Sequence, residues 1–142
     1  MPITIDSTWI AVDMAAVREI GGPVTWIALP TANATFPGVA AWRGRAIAIA
    51  DLAAVLGAGE RLVPPSSRGR TLYLQQGAST LAVPVDTVRE PLTVADGDVR
   101  PPRARTEAFC IGEMDVEGHT TLVVDLGVIL DGHRPAVASG LH

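Results

Sequence analysis

Residues 38–52, GVAAWRGRAIAIADL, return at residues 112–126 as GEMDVEGHTTLVVDL. Gly38, Gly44, Asp51 and Leu52 reappear after one constant step of 74 residues (112 − 38, 118 − 44, 125 − 51, 126 − 52) as Gly112, Gly118, Asp125 and Leu126. A second correspondence lies upstream of both. Ala11-Val12 followed by Val17-Arg18-Glu19 returns as Ala82-Val83 followed by Val88-Arg89-Glu90, displaced by 71 residues (82 − 11). Two copies are too few for a solenoid, which stacks at least about three repeats of 20–50 residues. The pattern is that of two similar units fused in one domain.

The rest of the composition fits one globular domain. At 142 residues the chain is within the range of a single domain, whereas a unit of half that size would have only a marginal core of its own. A core shared by the two units is expected. Hydrophobic residues make up 48% and charged residues 18%, and no apolar run approaches the roughly 20 residues of a membrane helix. The segment MPITIDSTW has neither the basic nor the apolar region of a signal peptide, and the single Cys110 can form no internal disulfide. A soluble, cytoplasmic protein without membrane insertion is expected. All 11 basic residues are arginine, outnumbered by 15 acids. Neither half is a basic footprint for nucleic acid.

Short β-branched and aliphatic runs bounded by Gly, Pro and Asp predict an all-β fold of about five strands per unit. The strands are placed at 3–5, 9–12, 24–29, 38–42 and 45–50, then at 71–74, 80–85, 92–94, 111–116 and 120–124. Short helices are expected at 13–19 and 52–56, with counterparts at 86–90 and 126–130; Asp51 is the candidate N-cap for the second. The Pro64-Pro65-Ser66-Ser67 stretch within 57–70 marks a linker. The expected domain spans residues 1–135, with units at about 1–63 and 70–132 and a tail at 136–142. Pro84 interrupts an apolar run and assigns that strand to an edge or a bulge.

AVREI (residues 16–20), GVAAWRGRAIAIADL, the strand and hinge at 81–90, and IGEMDVEGHTTLVVDL (residues 111–126) together resemble the CheW-like domain of bacterial chemotaxis. The resemblance covers residues 3 to 132. It implies two SH3-like five-stranded barrels packed as one pseudo-duplicated domain, with no catalytic activity and no cofactor. It also implies an adaptor in a two-component signalling array that couples the cytoplasmic tip of a chemoreceptor to the regulatory domain of a CheA-type histidine kinase. Other CheW-like proteins are further candidate partners. Glu19 and Arg43 match the family's acidic and basic positions beside the receptor groove, and Val17 matches its apolar position. The equivalent positions in the second unit are Glu90 and Glu117, two acids that cannot pair with each other. Three departures stand out: Ala41-Trp42 precedes the Arg-Gly, Ala48 replaces a proline, and the first strand is short, leaving an edge open to another chain. They give weight to an alternative, a divergent paralogue in a motility or other pathway that has lost the receptor or the kinase contact.

Other constellations are weaker. Cys110, His119 and Asp125 form no recognisable local frame of nucleophile, base and orienter. His119, His133 and His142 lack the spacing of metal ligands, so no metal site is expected. Arg100–Arg105 (RPPRAR) is the one basic cluster, a solvated loop or a partner contact. Trp9, Trp26 and Trp42 all fall in the first unit, and Trp is favoured at interfaces. At least one of the three, Trp42 before the others, is expected to be partly exposed, and Trp42 is expected to join Val17, Glu19 and Arg43 in partner binding.

Overall fold

The computed structural model describes residues 1–5, 8–29, 36–52, 69–76, 79–102 and 110–128. The chain is nearly all β. The strands are β1 (Pro2–Ile5), β2 (Thr8–Val12), β3 (Val17–Gly21), β4 (Trp26–Ala28), β5 (Gly38–Trp42), β6 (Arg45–Ile49), β7 (Arg70–Gln76), β8 (Ser79–Val85), β9 (Thr87–Val88), β10 (Cys110–Val116) and β11 (His119–Val124). They form two mixed sheets. Sheet A runs β10-β11-β2-β1-β9, and sheet B runs β3-β7-β8-β6-β5-β4.

Neither sheet is built from one half of the sequence. The first half sends its β1–β2 hairpin into sheet A, and the second half sends β7–β8 into sheet B. The registers show that this exchange is symmetric. β2 lies parallel to β11 with Ile10 opposite Leu122, and β8 lies parallel to β6 with Leu81 opposite Ala48. Applying the two sequence offsets, 71 for one strand and 74 for the other, converts one pairing into the other. The antiparallel pairs agree, since Val17 faces Leu74 while Val88 faces Ile3.

The repeated residues now have physical reasons. Gly44 (φ 74°) and Gly118 (φ 81°) follow Arg43 (φ 49°) and Glu117 (φ 51°), so each hairpin turns on two residues with positive φ, the two-residue turn whose twist matches that of its strands. At Gly38 a Cβ would stand 2.0 Å from the Ile27 carbonyl oxygen, and at Gly112 one would stand 2.6 Å from that of Arg100. Only a residue without a side chain lets those backbones approach. The Asp125 carboxylate accepts a hydrogen bond from the Val128 backbone N–H at 3.2 Å, capping a helix that starts at Leu126. Leu52 and Leu126 are both buried in the main core.

That core draws on both halves. Ile3, Ile10, Val12, Leu72, Leu74, Val83, Val85 and Val124 pack in one cluster, each fully buried side chain contributing about 1.5–3 kcal/mol. A second cluster lies within sheet B and joins Ala40, Trp42, Ile47 and Ile49 to Tyr73 and Ala82 from the other half.

Four expectations are corrected. Residues 13–19 are not a helix: Asp13 caps a single 3₁₀ turn, Met14–Ala16, and the chain then enters β3, because Val17 and Ile20 can bury against the core by pairing with β7. Residues 86–90 are likewise extended, with β9 closing the far side of β1. Residues 92–94 form no strand, and Leu92 and Val94 stand exposed. The short β1 is not an open edge either. It is paired on both sides, and the Thr4 and Thr87 hydroxyls meet at 2.6 Å. Pro84 sits in β8, which has β7 on one side along its length, while β6 pairs only as far as Ala82. The proline thus lies where the second neighbour has ended. Residues 53–68, which hold the linker core and most of the 52–56 helix, and the tail 136–142 lie outside the described residues.

Candidate functional site

Glu19 and Arg43 are brought together. Arg43 Nη2 donates to Glu19 Oε1 at 2.6 Å and Nε donates to the same oxygen at 3.2 Å. Glu19 is carried by β3 and Arg43 by the β5–β6 turn, so the contact reaches past β7 and β8 and requires sheet B to curl into a barrel. A β-bulge between Val17 and Glu19 helps to aim the carboxylate, since bulges raise the local twist and redirect side chains. The pair is open to water, with 61% of the Arg43 side chain and 37% of Glu19 exposed. It therefore adds little to folding, about 0–1 kcal/mol. Its worth lies in holding two charges in one fixed place.

What holds them is aromatic. The Arg43 guanidinium lies over the Trp42 ring, 5.1 Å from its centroid, and Trp42 stacks on Tyr73 at 5.3 Å. Tyr73 faces Glu19 across the β3–β7 ladder and covers Gly21, where a Cβ would come within 3.1 Å of the ring. The choice of Trp42 as the partly exposed tryptophan is thus corrected. It is 8% exposed and acts as the floor of the site, because its position at the end of β5 points into the sheet B core. Trp9 and Trp26 are the half-buried tryptophans. Val17, also half-buried, pairs with Leu74 and packs on the main core beside the charge pair. Sequence reasoning missed Tyr73 because it lies in the other half of the chain; only the exchange of strands places it here.

Burial, and then the neighbouring Glu19 carboxylate, push the Tyr73 phenol above its ordinary value. Tyr73 is the only tyrosine in the chain, so absorbance titration reads it alone. Its ionisation is expected above pH 10 in the folded protein, and Glu19→Gln is expected to lower it part of the way. The folded state holds the phenolic proton more tightly than the unfolded one. The resulting stability is therefore complete below about pH 10 and is lost as the pH rises through the raised value. A phenol that titrates at its ordinary value in the folded protein would contradict this packing.

Sheet A has its own cluster. Trp9 stacks on His119 with ring centroids 4.1 Å apart, Arg89 lies over Trp9 at 4.8 Å, and Arg89 Nη1 stands 3.7 Å from Glu117 Oε2. Glu117 is thus faced by an opposite charge after all, from Arg89 and not from Glu90. The repeated Val-Arg-Glu motif held that signal, one residue before the position compared.

The remaining candidates disperse. Cys110 is buried at the start of β10 opposite Val124, whereas His119 pairs with Val116 at the other end of the same ladder. The two do not meet. Arg100 forms a two-pronged pair with Asp115 (3.1 and 3.3 Å) and a backbone bridge with Glu113, which engages it as a brace of the β10 edge. Residues 103–109 lie outside the described ones. Among the described residues no three His, Cys, Asp or Glu side chains gather in a metal-binding group, and no helix is long and apolar enough to cross a membrane.

Comparison with known proteins agrees with this architecture. The family model of the CheW-like domain matches residues 1–134. A protein of Rhizobium meliloti (strain 1021) described as chemotaxis protein CheW is 32% identical over 131 residues, covering 89% of this chain and 83% of its own. The crystal structure of scaffolding protein TtCheW from Thermoanaerobacter tengcongensis has the same fold, with a TM-score of 0.78 at 20% identity over 92% of this chain and 85% of that one. By its sequence, its two curled sheets and the match over almost its whole length, the chain belongs to the CheW-like domain family of non-enzymatic chemotaxis scaffolds.

Proposed function

We propose that this chain is a cytoplasmic adaptor that couples the cytoplasmic tips of chemoreceptors to a CheA-type histidine kinase. The receptor surface is the face of sheet B that carries Val17, Glu19 and Arg43. One observation carries the reading: an exposed, salt-bridged pair that contributes little to folding is nevertheless held in place by a stacked pair of buried aromatic rings from both halves. Such a rigid charged feature beside a half-buried valine suits recognition of a helix that presents both charge and apolar surface. Edge strand β4 is the candidate contact for the kinase regulatory domain. Its Ile27 is 69% exposed and, with Thr25, Val39 and Ala41, lines a shallow apolar surface.

The test is charge reversal at the pair. Glu19→Arg and Arg43→Glu are each expected to melt close to the parent, with a cost below about 1 kcal/mol. Each is expected to weaken binding of a receptor-tip fragment at least about tenfold, near 1.4 kcal/mol. The double reversal should recover part of that loss if the mutual pair, and not separate contacts to the partner, sets the geometry. Unchanged affinity in well-folded variants would remove the receptor surface from this face and favour a divergent paralogue that has given up the receptor contact.

A further inference from the structure

Both sheets carry the same motif in the same place. Val17-Arg18-Glu19 lies beside β7 on sheet B, and Val88-Arg89-Glu90 lies beside β1 on sheet A, with Val17 opposite Leu74 and Val88 opposite Ile3. Both hairpin tips also present one non-glycine residue at positive φ, Arg43 at 49° and Glu117 at 51°. These two side chains are almost equally exposed, 61% and 62%. The surfaces differ in the sign of that tip residue. On sheet B it is a cation that pairs with the glutamate of the motif. On sheet A it is an anion, which would repel Glu90 and instead engages Arg89 at 3.7 Å, where Arg89 lies over the ring of Trp9.

We propose that Glu117 is a specificity-determining residue that closes the sheet A surface to the partner taken by sheet B. A chain with two equivalent faces then binds one receptor tip instead of two. This rests on the receptor reading given above. A partner shaped for the Glu19–Arg43 pair meets a like charge at Glu117, and such repulsion suppresses a wrong docking mode more effectively than a missing contact does. Stoichiometry matters for an adaptor. A second receptor on sheet A would double the receptors carried per adaptor and so change the ratio of receptor to kinase.

The test exploits the equivalence of the hairpins. Arg43 shows that this fold accepts arginine at the tip with φ near 50°, so Glu117→Arg introduces no new backbone demand. A helical-hairpin fragment of a chemoreceptor cytoplasmic tip is titrated calorimetrically into four full-length proteins: the parent, Glu117→Arg, Arg43→Glu, and Arg43→Glu combined with Glu117→Arg. Thermal melts confirm that each is folded. The parent is expected to bind one fragment, Glu117→Arg to gain a second site within about tenfold of the first, and Arg43→Glu to lose at least about tenfold in affinity. The combined variant is expected to recover one site, now on sheet A. If the parent binds and Arg43→Glu weakens it, yet Glu117→Arg stays at one site and the combined variant stays weak, the role of Glu117 is overturned while the receptor surface stands. If the parent itself fails to bind, both are overturned.

Discussion

Severed between Pro65 and Ser66, the two halves of this chain are expected to be unfolded apart and folded together. Residues 1–65 would keep β3–β6 but lose β7 and β8, which separate β3 from β6 in sheet B and bring Leu72, Leu74, Val83 and Val85 to the main core. Their β1–β2 hairpin would lose β9 on one side and β11 on the other. An isolated hairpin is at best marginal in water. The second half is no better placed, since β7–β8 would have neither β3 nor β6 to pair with. Loss of all cooperative stability, ordinarily about 5–15 kcal/mol for a domain, is expected for each fragment, with flat melts by circular dichroism. Mixing the fragments should restore a single transition and a complex of the parent's size. A cooperative melt with native-like strand content from residues 1–65 alone would show that the exchanged hairpins are dispensable.

The second large effect is at Gly38. A methyl group there would stand 2.0 Å from the Ile27 oxygen, and 2.8 Å from both the Ile27 carbonyl carbon and Trp26 Cε3. Two of those three atoms are backbone, so no rotamer change relieves the contact. β4 has to move away from β5, breaking the pairing of Ala28 with Gly38 and of Ile27 with Val39 and uncovering the packing of Trp26 on the sheet B core. Gly38→Ala is expected to cost about 2–4 kcal/mol and to lower the Tm by roughly 5–15 °C. An exposed control, Gly22→Ala, where nothing lies within 4 Å of the added carbon, should change the Tm little. Equal Tm values for the two variants would refute the close approach of β4 and β5.

The sequence was most readable where its signals are local. The strands at 38–42, 45–50, 111–116 and 120–124, and the capping role read at Asp51 and observed at its repeat Asp125, follow from residues that act on their immediate neighbours. The charge pair was readable through the family resemblance, and its geometry follows from the turn that lifts Arg43. Partner choice among strands was not readable. The periodicity of β1 is satisfied equally by any neighbour with an apolar face, so nothing in PITI says that it lies between β2 and β9. Trp42 was misplaced for a related reason. Whether a tryptophan at the end of a strand faces water or core depends on Tyr73, a residue of the other half. Residues 17–19 read as the end of a helix because their own few side chains do not reveal that β7 is waiting beside them.

The exchanged hairpins also set an order of events on the ribosome. Strand β2 leaves the ribosome long before its parallel neighbour β11 is made: Ile10 pairs with Leu122, 112 residues later (122 − 10). At a synthesis rate of roughly 5–20 residues per second, that interval is on the order of 5–20 s. At first the nascent β1–β2 hairpin shows Ile3, Ile10 and Val12 with no core to receive them and two unfilled strand edges; β9 can fill the β1 edge once residue 88 is made, but the β2 edge stays open to the end of the interval. Sheet A can close only when β10 and β11 arrive. In the meantime it depends on dilution or on a holding chaperone to keep neighbouring nascent chains from supplying the missing strand.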